Sequence, residues 1–488
     1  KATPELILRR SLKNLNMSKH KINFTTLILL LPGIAIPELN LPVPIQSALN
    51  YRHVPDQALS IYVEDVRSGG AVLNWNAEEP RNPASVEKMV TTLVALDLLG
   101  PAYRWKTEIS GIGDLTDGIL DGDLLIKGYG DPYLVTDRFW QLLRRGRQHG
   151  IVSISGNLLI DDSYFDVGDY DPGAFDNEPL RAYNVAPNAL LTNFKVIRYS
   201  FQPDSTGSRV NIFSDPPLDN IEIVNRLRLN SGACTGYQRG ITITPSKDLR
   251  SFTFSGRFPR DCEHYVMDRT ALNHNEFTYG LFKSLWLESG GYFSGTWKNV
   301  VADVELEPLI SFDSLPLSEV IAKVNKHSNN VMAKQLLLTL AAEKYGGAGT
   351  AVKGRQVVSE WLIENGMNFR YFNIDNGAGL SRDSKITAKD LGVLLRFAFD
   401  SPYMPEYISS LSLAGLDGTL SRRFRGTDLI GRAHMKTGSL DDVSTMAGYF
   451  QSRSGKRYIV VSMLNYKDVH RGPGKEVQEM LLRWLYDQ

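Results

Sequence analysis

The 488-residue sequence predicts an α/β (α+β) fold, with helices packed on an antiparallel sheet and a large, mostly-β insertion interrupting the domain. Three observations carry this. A hairpin pattern and an apolar helix fill the stretch before residue 100. Short alternating segments then run from about 101 to 295. From about 296 helices return, followed by a second hairpin and a final helix. The two flanking stretches share one character and read as halves of a single domain. The divisions are 1–36, an N-terminal extension with a signal-like segment; 37–100, the first half; 101–295, the inserted block; and 296–488, the second half.

The elements follow in chain order. Met17, then Ser18-Lys19-His20-Lys21, then the apolar run Phe24 to Ile36 read as the basic and hydrophobic parts of a secretory signal. That run is short for a membrane span and Pro32-Gly33 interrupts it. No small-x-small cleavage site follows, and a buried N-terminal segment is the alternative. Met17 is the expected start, with Lys1 to Asn16 upstream of it. Pro37, Pro42 and Pro44 give residues 37–50 a linker composition. Ala58 to Val66, the turn Arg67-Ser68-Gly69-Gly70 and Ala71 to Trp75 form a hairpin pattern. Met89 to Leu99 is an apolar helix stopped by Gly100-Pro101.

In the inserted block, strands are expected around 122–127, 152–155, 158–160, 209–212, 241–244 and 252–254, with helices over 137–147 and 276–289. Beyond it, helices are expected at 317–326 and 331–344, separated by His327-Ser328-Asn329-Asn330. Thr387-Ala388-Lys389-Asp390 resembles a capping box, with Asp in the usual Glu/Gln place, and opens a helix to about Phe399. Strands at 446–451 and 457–464 and a helix at 476–486 complete the chain. There is no internal repeat.

Composition excludes several classes. Lys+Arg 54 balances Asp+Glu 54, which argues against a nucleic-acid binder. Hydrophobic content of 42% and charged content of 22% are those of an ordinary globular protein. Cys234 and Cys262 are the two cysteines, so no Cys-based metal motif exists. In an exported protein they would pair, stabilising by about 3 kcal/mol in the chain-entropy model; in a reducing compartment they would be two buried thiols.

The chemistry-bearing pattern is Ser85-Val86-Glu87-Lys88 at the start of the apolar helix. A serine hydroxyl is a poor nucleophile until a base takes its proton, and a lysine one helical turn on is placed to do so. Alone the pattern is weak, since Ser18-Lys19-His20-Lys21 repeats it in a basic stretch and most such patterns are helix caps beside a solvated lysine. Two further motifs follow in order: Ser328-Asn329-Asn330 between two helices, and Lys436-Thr437-Gly438 before the second hairpin. Ser-x-Asn recurs at Ser155-Gly156-Asn157, where it reads as turn chemistry. Lys-Thr-Gly occurs once. Order and context, rather than any single motif, give the specificity.

On these motifs the chain resembles the class C low-molecular-mass penicillin-binding proteins, the D-alanyl-D-alanine carboxypeptidase/endopeptidase family. The resemblance extends to Gly122-Asp123-Leu124-Leu125-Ile126-Lys127-Gly128-Tyr129-Gly130-Asp131-Pro132, to Asp375 through Arg382 and to Ala414-Gly415-Leu416-Asp417-Gly418-Thr419-Leu420. It implies the penicillin-binding-protein/β-lactamase-like transpeptidase domain, whose hallmark in this family is the long β-rich insertion between the first two motifs. It also implies roles. Ser85 attacks the penultimate D-alanine carbonyl, Lys88 takes its proton, Ser328 relays a proton to the leaving amine and Asn330 holds the substrate backbone. Lys436, Thr437, Gly438 and Ser439 would bind the terminal carboxylate side, with the Ser85 and Ser439 N–H groups as oxyanion hole. Asp161, in Asp161-Asp162, falls where the family places an acidic residue near the substrate side chain, although a strand-end turn acid fits the same pattern. Asp441 is acidic where relatives can carry a neutral amide.

As base at pH 7, Lys88 must titrate about 3 units below its free value, which a helix N-terminus and the second ammonium of Lys436 both favour. Glu87 reads as a first-turn acid pointing away from Ser85. His327 reads as structural or solvated, with a Ser-His-Asp triad the minor alternative. The absence of G-x-S-x-G and H-E-x-x-H disfavours an α/β-hydrolase or zinc peptidase.

The expected protein is therefore an extracytoplasmic (periplasmic) serine DD-peptidase acting on peptidoglycan stem peptides and acylated by β-lactams, with no cofactor, no metal and no nucleic-acid partner. Peripheral membrane association and a homodimer stay open. A β-lactamase, or a non-catalytic peptidoglycan-binding or β-lactam-sensing module, are the alternatives.

Overall fold

The computed structural model describes residues 40–232, 234, 240–302 and 306–488. The signal-like segment at 24–36 and the stretch Lys1 to Asn16 lie outside the described residues. Among those described, no helix is long and apolar enough to cross a membrane.

One antiparallel sheet of six strands organises the molecule. Its order is Ser412–Leu413, Ala433–Leu440, Val443–Gln451, Arg457–Asn465, Leu59–Asp65 and Ala71–Trp75. Strands from both ends of the described chain thus pair directly, Leu59 opposite Leu464 and Asp65 opposite Tyr458. Alternate side chains point to opposite faces, as the strand period requires. Ile459, Val461 and Met463 join a core built with the helices Lys88–Leu99, Leu317–His327, Asn330–Tyr345, Ala351–Glu364 and Ala388–Asp400. Leu59, Ile61, Val63 and Val460 face the other way, against the helices Val43–Tyr51 and Pro473–Tyr486.

The hairpins at 59–75 and 443–465, and the helices expected around residues 89, 317, 331, 388 and 476, all form, each shifted by a few residues at its ends. Thr387 caps its helix by accepting the Asp390 N–H at 3.0 Å. Residues 43–51 correct the linker reading. Pro42 and Pro44 stand at the start of a helix, where a missing N–H costs nothing, and Ile45, Ala48 and Leu49 are buried. The return to helices expected at about 296 comes only at Leu317, because Trp297–Asn299 and Ile310–Asp313 are strands.

The residues between Lys106 and Asp313 build a core of their own. A seven-stranded sheet holds Lys106–Thr116 and Ile119–Gly128 at its centre, and two three-stranded sheets are built from residues that fall between its strands in sequence. The helices Thr136–Gln148 and His274–Glu288 pack on this core. Its outgoing strand pairs with its incoming one, Asp313 opposite Lys106. Cys234 and Cys262 form a disulfide within the block.

Candidate active site

The turn before the long helix is where the three motifs meet. Ala84–Glu87 forms a 3-10 turn that runs into Lys88–Leu99. Ala84 is held at φ +47°, a left-handed conformation that costs an L-residue about 1–2 kcal/mol. Its surroundings impose it: the Ala84 N–H donates to Asn82 Oδ1 at 2.8 Å, while the Asn82 amide donates to the Ser381 carbonyl and the Thr445 hydroxyl to the Pro83 carbonyl. Gly438 completes the fit. A Cβ there would stand 2.6 Å from the Pro83 carbonyl oxygen, 2.3 Å from Thr445 Oγ1 and 3.0 Å from the Ser85 nitrogen. The third residue of Lys436-Thr437-Gly438 is glycine because the strand lies directly against the Ser85 turn.

Lys88 is fully buried, and its Nζ has three partners: Ser85 Oγ at 3.1 Å, Asn330 Oδ1 at 2.7 Å and the Ala378 carbonyl at 2.5 Å. A neutral amine has two protons and one lone pair. The amide and carbonyl oxygens can only accept, so they take both protons. The lone pair is left for the Ser85 hydroxyl. Burial first, and then the charge of Lys436, hold the Lys88 amine well below its ordinary range; Lys334 adds to this and Glu87 opposes it. Burial thus outweighs the neighbouring ammonium that the sequence pointed to.

Asn330 opens the helix Asn330–Tyr345, and its amide is fixed from both sides: Oδ1 faces Lys88 and Nδ2 donates to the Tyr183 carbonyl at 3.1 Å. Ser328 ends the preceding helix at φ +55°, the left-handed position that turns the chain between the two helices. Its Oγ accepts from Lys436 Nζ at 2.9 Å, and that amine also donates to the Thr437 carbonyl at 2.7 Å. Burial lowers Lys436 to about 7. Ser85, Lys88, Asn330, Ser328 and Lys436 therefore form two hydrogen-bonded groups joined through the short Ser328–Asn330 turn.

The remaining expectations divide. Thr437 Oγ1 donates to Thr419 Oγ1 at 2.9 Å, and Ser439 is exposed on the same strand. The strand Ser412–Leu413 pairs only with Met435 and His434, so the edge at Thr437–Ser439 has no strand partner among the described residues. Asp161 is not part of the cluster. Its carboxylate pairs with Lys127 at 3.1 Å and accepts the Ser163 and Ala302 N–H groups at 2.9 Å each, all within the inserted block. Burial opposes its charge, yet these bonds keep it below the usual carboxylate range. Those contacts are those of a strand-end structural acid. Asp441 is exposed beside Arg382 and His470. His327 is exposed and makes no hydrogen bond or ion pair among the described residues, and Ser328 turns to Lys436 instead. Glu87 does sit in the first turn, but buried rather than solvated: burial pushes it up to about 7, and Ser384 and the Gly379 amide approach it without closing a hydrogen bond.

Three contributors escaped the sequence. The Ala378 carbonyl sits on Lys88 because Gly379 lets the segment press against Ala84, where a Cβ would come within 1.8 Å of the Ala84 oxygen. Lys334, one turn beyond Asn330, is buried and lowered to about 8 by that burial, and donates to Tyr170 OH at 2.6 Å. Tyr183 reaches Asn330 from the inserted block. A groove of about 460 Å³ opens beside Ser328 and Asn330, walled on its far side by Tyr183, Phe194 and Arg198.

The sequence profile of the D-Ala-D-Ala carboxypeptidase 3 (S13) family matches residues 44–487. A D-alanyl-D-alanine carboxypeptidase of Actinomadura sp. (strain R39) is 28% identical over 431 residues, covering 85% of this chain and 78% of that protein. The crystal structure of penicillin binding protein 4 (dacB) from Haemophilus influenzae superposes with a TM-score of 0.77 at 21% identity, over 91% of this chain and all of that one. The Bd0816 predatory endopeptidase of Bdellovibrio bacteriovorus, solved with its immunity protein, shares the fold at a TM-score of 0.54 and 14% identity, covering 88% and 93% of the two chains.

Proposed function

Because the chain belongs to the D-Ala-D-Ala carboxypeptidase 3 (S13) family and is a serine-type D-Ala-D-Ala carboxypeptidase, we propose that Ser85 is its nucleophile and Lys88 its general base. The observation that carries this reading is the Lys88 amine. Two of its positions are committed to oxygens that can only accept, and the third faces the Ser85 hydroxyl.

The steps follow from that arrangement. The stem peptide lies along the open edge at Thr437–Ser439 as an added strand. Ser85 Oγ attacks the penultimate D-alanine carbonyl while Lys88 takes the hydroxyl proton. The Ser85 and Ser439 N–H groups face the oxyanion, each worth about 2.7–4 kcal/mol if the site matches known oxyanion holes. Ser328 relays the proton taken up by Lys88 to the leaving amine, and the terminal D-alanine departs. Water, giving its proton to the again neutral Lys88, then releases the acyl group and returns the Ser85 hydroxyl. Lys436 and Thr437 receive the terminal carboxylate. An amine that burial holds near 7 regains its full charge when such an anion arrives, so binding and charging reinforce one another.

A β-lactam enters the same steps and stops at the acyl stage. The groove beside Ser328 and Asn330 leaves room for a second stem, which favours endopeptidase action on crosslinks alongside carboxypeptidase action. A peptidoglycan substrate and the Cys234–Cys262 disulfide both favour an extracytoplasmic location.

The test is release of D-alanine from a stem pentapeptide by wild type and Ser85→Ala, with mass-spectrometric location of a penicillin adduct. Wild type is expected to release D-alanine and carry the adduct on Ser85, and Ser85→Ala to do neither. An adduct on another residue would remove the assignment. Rapid loss of the adduct, within seconds, would mark a β-lactamase instead.

A further inference from the structure

We propose that Thr419 is a positioning residue for recognition of the substrate's terminal carboxylate, acting through Thr437. The proposal rests on the reading above that Lys436 and Thr437 receive that carboxylate.

Three hydroxyls stand in line behind Lys436. Thr437 Oγ1 is 2.9 Å from Thr419 Oγ1, which is 3.2 Å from Ser412 Oγ. The Ser412 hydroxyl reaches the carbonyl of Lys326 at 3.5 Å. That carbonyl can only accept, so it sets the direction of the row. Ser412 donates to Lys326, Thr419 to Ser412, and Thr437 to Thr419. Every proton then points away from the substrate edge, and Thr437 offers lone pairs to an incoming group.

A carboxylate needs the opposite. For Thr437 to donate to it, Thr419 must rotate to donate to Thr437, and Ser412 to donate to Thr419. The reversal moves no proton between heavy atoms; three hydroxyls turn about their C–O bonds. It gives up only the bond at the far end, the longest of the row. In return Thr437 makes a bond to a charged acceptor, which is stronger than a neutral one. Without Thr419, Thr437 would still reach the carboxylate but would lack a donor behind it to hold its oxygen.

The support of this row is built into the fold. The Thr419 N–H donates to Ser412 Oγ at 3.2 Å, and Gly418 before it has φ +55° with Ser412 Oγ 2.3 Å from where a Cβ would stand. Asp417 ties the same loop down, accepting from the Leu413 N–H at 2.7 Å and from Lys326 Nζ at 2.5 Å. Lys326 lies in the helix that ends at Ser328, so the row connects the carboxylate end of the site to the Ser328 turn. Thr419 itself is exposed beside the open strand edge, and its loss removes no core packing.

The experiment measures binding without turnover. In a Ser85→Ala background, the affinity of a stem pentapeptide acid and of its C-terminal carboxamide are compared for Thr419, Thr419→Val and Thr419→Ser. The parent is expected to prefer the acid. Thr419→Val should weaken the acid about tenfold and the amide less than about twofold, and Thr419→Ser should restore the preference. In the enzyme with Ser85 intact, Thr419→Val should raise KM for the acid with little change in kcat. If the parent binds acid and amide equally, or binds neither, the carboxylate reading of Lys436 and Thr437 falls and the proposal falls with it. If the parent prefers the acid and Thr419→Val keeps that preference, or weakens both peptides alike, the role of Thr419 alone is overturned.

Discussion

Glu87 and Lys88 are neighbours in sequence, both buried, and both driven by that burial toward their neutral forms. The carboxyl of Glu87 rises from an ordinary 4.5 to about 7 in the folded chain. A raised folded value means the native state holds a proton that the unfolded chain releases first. Its contribution to stability is therefore complete below about pH 4.5 and is lost as pH climbs through 7. Glu87→Gln, neutral at all pH, should escape that loss. It is expected to be about 3 kcal/mol more stable than wild type at pH 8 and nearly equal at pH 4, measured by urea unfolding at the two values. An equal difference at both would show that Glu87 is charged where it sits. At this scale the sequence was readable where a motif is local. Ser85 and Lys88 are one turn apart, Ser328 and Asn330 share a turn, and Lys436 stands in a distinctive tripeptide. Lys334, Tyr183 and the Ala378 carbonyl were not readable, because each belongs to the site only through contacts between distant segments. For Asp161 the sequence left two readings, because a strand-end acid and a ligand acid look alike until their partners are known.

Two of the three groups proposed for catalysis, Ser85 and Ser328, stand at junctions between elements, and the third, Lys436, lies within a strand. Ser85 stands where a 3-10 turn becomes a helix, Ser328 where two helices meet, and Lys436 on a strand whose outer edge is left open beyond Met435. The contact of Gly438 with the Ser85 turn fixes the spacing between that strand and the first junction. Gly438→Ala should force the strand and the turn apart, because two of the three atoms it would meet are backbone. Penicillin acylation is expected to slow by about a hundredfold or more, since a displacement near 1 Å at reacting groups costs that much, while far-ultraviolet circular dichroism stays native. Acylation at the wild-type rate would show that the contact is slack. Most of the expected helices and strands formed, but the helix Ala351–Glu364 and the strand Lys106–Thr116 went unread. So did the helix Val43–Tyr51, because prolines that usually break structure here occupy its first turn.

Among the described residues three main cores divide the work, two of them on opposite faces of the six-stranded sheet. The third lies within the block between Lys106 and Asp313. The block still reaches the site, since Tyr183 orients Asn330 and Tyr170 holds Lys334. The Cys234–Cys262 disulfide closes its loop far from those contacts in sequence. Cys234→Ser with Cys262→Ser should lower stability by about 3 kcal/mol in the chain-entropy model, seen as a lower melting temperature. D-Alanine release below that temperature should be unchanged. A fall in release while the chain remains folded would mean that the bridge also shapes Asn330's surroundings. Composition and segment character marked the change from helices to short strands between about 101 and 295. They could not reveal that the inserted residues return to touch the site they separate.

The pairing of Leu59–Asp65 with Arg457–Asn465 has a consequence for how this enzyme comes to life. A chain made from its N-terminus presents Ser85 early, but the strand that seals the first hairpin into place arrives much later. Until then Ser85 has neither Lys436 beside it nor a completed sheet beneath it. A nascent polypeptide is thus expected to be chemically silent, with competence arriving in one late step. A product cut short before residue 457 should carry the serine and yet never take up an antibiotic label.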